Sequence, residues 1–177
     1  MLGGEQSGHI GAVGIETYLK LLEETVRELR GESVELAPSV AIDLPVQMSI
    51  PPDYIDDANL RMELYQKIAA FETSEREILA ELADRFGPPP PAVRTLVQVA
   101  ALKRLAESLR VQSISAKGHE LIIRLRRDAR IDVAKLIDMV SKTAGASFSP
   151  TGILTLAGTG GSQMIAAAHS TLAELAQ

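Results

Sequence analysis

Gly87 followed by Pro88, Pro89, Pro90 and Pro91 is the feature that most restricts how this chain can fold. Proline lacks the backbone N–H and clashes with the preceding turn, so neither a helix nor a central strand can run through four in a row. The run therefore separates two elements. Before it, Ser74 stands three residues ahead of Glu77, the capping-box spacing in which each side chain satisfies a free backbone N–H of a new helix. That helix is predicted to bury Ile78, Leu79, Leu82 and Phe86 and to stop at Gly87. After the run, Val93, Leu96, Val97, Ala100 and Leu105 recur at helical steps and predict a second helix.

Outward from these two helices the pattern stays mixed. Asp56 or Asp57 can cap an earlier helix carrying Leu60, Leu64, Tyr65 and Ile68. Residues 111–116 and 121–125 flank Lys117-Gly118-His119-Glu120 as a hairpin, with glycine where positive φ is needed. Residues 146–149 and 153–157 flank Pro150-Thr151-Gly152 in the same way. A helix over 131–141 lies between the hairpins, and a last helix begins near Ser162. Helices mixed with antiparallel strands make the class α+β, with short hairpins packed on helices.

Residues 1–33 read differently. A Gly-rich opening leads into Ile15, Tyr18, Leu19, Leu22, Val26 and Leu29, an apolar stripe of helical period that ends near Gly31 and requires a partner surface. Residues 34–52 alternate with period two (Val40, Ile42, Leu44, then Val46, Met48, Ile50) but contain Pro38, Pro45, Pro51 and Pro52. They are expected to form an edge strand or strap connecting the first piece to a globular domain over 53–177.

Chemistry is sparse. No G-x-x-x-x-G-K-[ST] phosphate loop occurs. The nearest stretch, Gly158-Thr159-Gly160-Gly161-Ser162-Gln163, lacks a following lysine and reads as a strand-to-helix turn with Ser162 as cap. His9, His119 and His169 lie in three different elements without metal-ligand spacing, so no metal site is expected. Catalytic residues: none, since no nucleophile elbow or converging carboxylate pair is visible. The net charge of −5 argues against nucleic acid binding as the main role of this piece. Arg124, Arg126, Arg127 and Arg130 form the one dense basic cluster, read as a solvated strand end and turn. Zero cysteines fit a reducing cytoplasm, and neither a signal peptide nor an apolar run long enough to span a membrane is present.

Longer patterns carry more. Leu2-Gly3-x-x-Gln6-Ser7-Gly8-His9-Ile10, then Val13-Gly14-Ile15-x-x-Tyr18 and the Leu21-Leu22-Glu23-Glu24 helix, resemble the segment that closes the motor of the bacterial transcription-repair coupling factor (Mfd) family. Ile50-Pro51-x-x-Tyr54-Ile55-x-Asp57-x-x-x-Arg61-x-x-x-Tyr65-x-x-Ile68 resembles the opening of that family's C-terminal domain. Glu81-Leu82-x-Asp84-Arg85-Phe86-Gly87 followed by prolines resembles its next landmark. The resemblance covers residues 2 to about 125. The same residues have plain structural roles as well: Tyr54, Ile55, Leu82 and Phe86 in a core, Asp57 and Arg61 as an i,i+4 pair.

The resemblance implies a fragment of an ATP-dependent double-stranded DNA translocase that displaces stalled RNA polymerase and recruits the repair protein UvrA. The ATP and Mg sites belong to an upstream motor, so no cofactor and no enzyme activity are expected of this fragment, and its setting is expected to be cytoplasmic. Gln6, Ser7 and Gly8 would be the remnant of the translocation motif. The C-terminal domain would regulate the parent by masking the UvrA-binding face of its UvrB-like domain, an intramolecular partner. Glu81 and Asp84, three apart on one helix, are expected to offer two carboxylates to that partner. Two other readings stay open at this point: a mechanical element of the translocating motor, and a standalone adaptor.

Overall fold

The computed structural model describes residues 39–70, 74–158, 160–161 and 163–176. Gln6, Ser7, Gly8, the expected helix of residues 1–33 and Ser162 lie outside them. Among the described residues the chain forms β1 (Ala41–Asp43), α1 (Ala58–Ala70), α2 (Glu75–Phe86), α3 (Pro91–Ser108), β2 (Val111–Lys117), β3 (Glu120–Leu125), α4 (Val133–Lys142), β4 (Ala146–Phe148), β5 (Ile153–Ala157) and α5 (Gln163–Leu175). Five helices and a mixed five-stranded sheet make the class α+β, as the alternation of helical and two-residue periods predicts.

Local signals set most boundaries. The Ser74 hydroxyl accepts from the Glu77 N–H at 3.3 Å, and the Glu77 carboxylate accepts from the Ser74 N–H at 3.0 Å. Gly87 closes α2 at φ 85°, a left-handed conformation that glycine takes without a Cβ penalty. The proline run both ends α2 and starts α3, with Pro90 extended at the cap and Pro91 at the first helical position, where a missing N–H costs nothing. One expectation needs correcting. Asp57 does not pair with Arg61: its carboxylate accepts from the Asn59 and Leu60 N–H groups as the cap of α1, while Arg61 donates to the Ile55 and Asp56 carbonyls at 2.7 and 2.9 Å. A cap two to three residues away satisfies otherwise orphaned donors, and that outweighs an exposed ion pair.

The strand order is β1-β2-β3-β5-β4. The β1–β2 pair is parallel and the others are antiparallel. Carried across the sheet, the register places Ile42, Ile114, Ile123, Leu154 and Phe148 in one row. This row faces α3, α4 and α5, and its middle members are fully buried. The row on the other face, Asp43, Ser115, Ile122, Thr155 and Ser147, contains no buried residue, so no described element covers that face. Residues 39–52 are the described part of the expected connector over 34–52, and they are built into the domain: β1 is an edge strand on β2, and Val40 and Ile50 are 3% and 4% exposed. Period two is correct there, and Pro45, Pro51 and Pro52 follow the short strand instead of interrupting it.

A second, smaller core gathers Ile50 and Ile55 with Leu64, Tyr65 and Ile68 of α1, Ile78 and Leu82 of α2, and Val93, Leu96 and Val97 of α3. The later part of α3 (Val99, Leu102, Ala106) belongs to the sheet core instead. One 18-residue helix thus holds the α1–α2 cap onto the sheet layer. Tyr65 ties the strap to this cap, its hydroxyl accepting from the buried Ile50 N–H at 2.7 Å. No described helix is long and apolar enough to cross a membrane.

Candidate functional site

The α1–α2 cap carries the two carboxylates singled out from sequence. Ile78 and Leu82 point into the small core, which turns the opposite side of α2 outward. Asp84 is exposed there, beside the equally exposed Arg76, Glu77, Ala80 and Ala83, and no described residue pairs with it. Glu81 is placed differently. Its Oε1 accepts from the Lys67 ammonium at the end of α1, and the Arg85 guanidinium, one turn on, lies 3.5 Å away. Lys67 first, and Arg85 after it, hold the Glu81 carboxyl below the usual glutamate range. Glu81 thus clips α1 to α2, and of these two acids Asp84 is the one whose carboxylate is unpaired among the described residues. The Arg85 partner is visible in sequence as an i,i+4 spacing. Lys67 is not, because it lies fourteen residues away on another helix.

The far end of α2 is anchored by Tyr54. Its hydroxyl donates to the Gly87 carbonyl at 2.9 Å and lies 3.2 Å from the Leu82 carbonyl, and burial raises its pKa. Its ring meets Phe86 edge-on with centroids 6.3 Å apart, and Arg85 stacks over Phe86 at 4.9 Å. These contacts fix the helix that presents Asp84, and they explain why the aromatic and glycine positions near it sit where they do.

The second polar constellation lies at one end of the sheet. Asp128, in the turn after β3, accepts from Arg110 at 2.6 Å and from Arg126 at 3.2 Å. The Arg110 bond, chiefly, lowers the Asp128 pKa, with Arg126 adding to it. Arg124, Arg127 and Arg130, in the same stretch of chain, are exposed. The sequence cluster thus gains a fifth arginine, Arg110, brought in by the α3–β2 connection. Arg110 has φ 57°, the only positive φ outside glycine among the described residues.

Elsewhere the polar groups are scattered. His119 lies in the β2–β3 turn and His169 on α5, and no group of three or more candidate metal ligands occurs among the described residues. Gly158 and Gly161 have φ of 83° and 53°, and the α5 start is closed by Gln163 and Met164 N–H groups donating to the Gly160 and Gly161 carbonyls. That stretch is a turn into a helix, as its composition predicts. A shallow groove of about 660 Å³ between α2, α3 and α5 is lined by residues including Glu75, Arg104, Glu107 and His169.

The described residues form an α+β domain in which a helical cap sits on a sheet layer and most polar groups are engaged in caps and clips. The solved crystal structure of a C-terminal domain of transcription-repair coupling factor has the same fold: TM-score 0.58 at 18% identity, covering 76% of this chain and 95% of that one. The TRCF domain model matches residues 44–136, and the chain belongs to the TRCF domain family. Similar proteins include the transcription-repair-coupling factors of Haemophilus influenzae (36% identity over 149 residues), Myxococcus xanthus (31% over 147) and Escherichia coli (33% over 149). These alignments cover 80%, 82% and 80% of this chain but only 13%, 12% and 13% of the relatives, so the chain spans about an eighth of their length.

Proposed function

We propose that this chain is a fragment of a transcription-repair coupling factor that carries its C-terminal regulatory domain, acting by covering the UvrA-binding face of a UvrB-like domain in its own parent. The observation that carries the reading is the family match over residues 44–136, which contains the whole α1–α2 cap and its outward-facing Asp84. In the parent, an upstream motor would use ATP and Mg to translocate on double-stranded DNA, displace RNA polymerase and then expose the UvrA site. The mechanism is a population shift. An intramolecular contact benefits from high effective concentration and hides a partner site until the active state, which the motor favours, breaks it. Tenfold masking needs a differential of only about 1.4 kcal/mol. A carboxylate desolvated against an arginine costs about 2–5 kcal/mol to truncate, so one or two acids are enough.

Asp84 is the group free to make that contact, and Glu81 supports it by holding α2 against α1. The double change Glu81→Ala with Asp84→Ala in the parent protein should raise UvrA capture in a pull-down, with ATPase activity retained and melting lowered only by the few degrees that loss of the Glu81 clip costs. Asp84→Ala alone should give most of the gain. Unchanged UvrA capture by a folded double variant would move the masking contact to another surface.

A further inference from the structure

We propose that the arginine end of the sheet is a docking surface for the acidic segment of residues 16–35 of the same chain. Five arginines, Arg110, Arg124, Arg126, Arg127 and Arg130, belong to the chain segments that meet at this end, and two of them, Arg110 and Arg126, hold Asp128, in a chain whose overall charge is −5. Asp128 already accepts from both Arg110 and Arg126, which demonstrates that this end of the fold binds a carboxylate between guanidinium groups. Arg124, Arg127 and Arg130 remain exposed, with no side-chain partner among the described residues. Arg110 keeps a long side chain in a left-handed backbone conformation where glycine is at ease, so its guanidinium, not its backbone, accounts for an arginine at that position.

The occupant follows from where the chain enters. β1 runs parallel to β2, with Ala41 opposite Ser113. The same register places Ser39 level with Val111, next to Arg110. Across the sheet, Ser113 pairs with Arg124, so Ala41 and Arg124 are two strand spacings apart, about 10 Å. The segment just before Ser39 carries Glu16, Glu23, Glu24, Glu28, Glu32 and Glu35 against Lys20, Arg27 and Arg30. Glu35 is four residues from Ser39, a reach of about 13 Å in extended chain, enough to arrive at the arginine end directly. In sequence its acids lie between the apolar positions that recur over residues 15–29. Duplex DNA is the competing anionic ligand, but the negative charge of the chain as a whole repels it at long range.

The chain has no cysteine, so one label site can be introduced cleanly. The experiment uses the full 177-residue chain as Thr25→Cys carrying a nitroxide, with amide NMR intensities read at low and at high salt. The amides of Arg110 and residues 126–130 should lose more than half their intensity at low salt. They should recover in 1 M NaCl, where charges are screened within about 3 Å. Arg127→Glu with Arg130→Glu should abolish the broadening, and adding Glu28→Arg with Glu32→Arg should restore it. Full intensity at low salt, broadening that survives 1 M NaCl, or broadening indifferent to the reversals would overturn the proposal. So would a short DNA duplex that shifts these same amides at physiological salt in the unlabelled chain, which would assign the patch to nucleic acid.

Discussion

Neutralising Glu81 should cost stability, whereas neutralising Asp84, three residues on, should not. Glu81→Gln keeps the size and shape of the side chain but removes the charge that joins Lys67 on α1 to Arg85 on α2. The partners are half-exposed, with 47% of each basic side chain and 40% of the Glu81 side chain open to solvent. Each pair is therefore screened and worth at most about 1 kcal/mol. Taken together, the loss should be about 1 kcal/mol, a fall of about 2–4 °C in Tm for a chain of this size. Asp84→Asn, with no partner to lose, should stay within about 0.5 kcal/mol of the parent. The pH dependence gives a second handle. Because the folded pKa of Glu81 is lowered, its contribution is present above the unfolded value, near 4.5, and is lost as pH falls through the folded value. The gap in Tm between the natural chain and Glu81→Gln should be open at pH 7 and closed in the acid range below that folded value. Calorimetry or circular dichroism melts across pH measure both. Equal melting temperatures at pH 7, a gap that does not shrink in acid, or an equal loss from Asp84→Asn would refute the assignment of Glu81 as the clip.

Three further outcomes follow from the same geometry. Leu102→Ala, at a fully buried site on α3, should cost about 2–5 kcal/mol in urea unfolding, since it opens a cavity where α3 meets the sheet. Tyr54→Phe should cost about 1 kcal/mol, because it keeps the ring against Phe86 and removes only the hydroxyl that is shared by the Gly87 and Leu82 carbonyls; an unchanged urea midpoint would show that water replaces it. Gly152→Ala should cost about 1–3 kcal/mol, since φ is 82° and a Cβ there would stand 3.0 Å from the Leu125 carbonyl oxygen; a melt at the parental temperature would show that the β4–β5 turn can shift.

Much of the local structure was legible in the sequence. The capping box at Ser74, the stop at Gly87, the proline break, the Asp57 cap and both hairpin turns are signals whose hydrogen bonds close within a few residues. Such signals act through backbone conformation alone and survive translation from sequence to structure. The family resemblance was legible for a related reason: its landmarks, Tyr54 and Glu81 through Gly87, fall on the α1–α2 cap, where a side chain either fits a small core or holds a helix end. The carboxylates on α2 were legible as positions but not as partners. Spacing put Glu81 and Asp84 on one helix, and nothing local told that Lys67 would take one of them.

The sequence by itself determined which described stretches form helices and hairpins, and that the class is α+β, because those choices rest on period, caps and turn residues within reach of one another. Only the tertiary structure decided that residues 39–50 are built into the sheet and core, that β1 pairs in parallel with a strand 70 residues later, and that α3 serves two cores at once. It also gathered Arg110 and Asp128 from opposite sides of a hairpin. These pairings carry no local signal: the backbone of an edge strand fits many neighbours, and an exposed ion pair is too weak to fix a chain. They are settled by which arrangement buries Val40, Ile50, Leu102 and Ile114 together, a sum over distant residues that no single stretch of sequence contains.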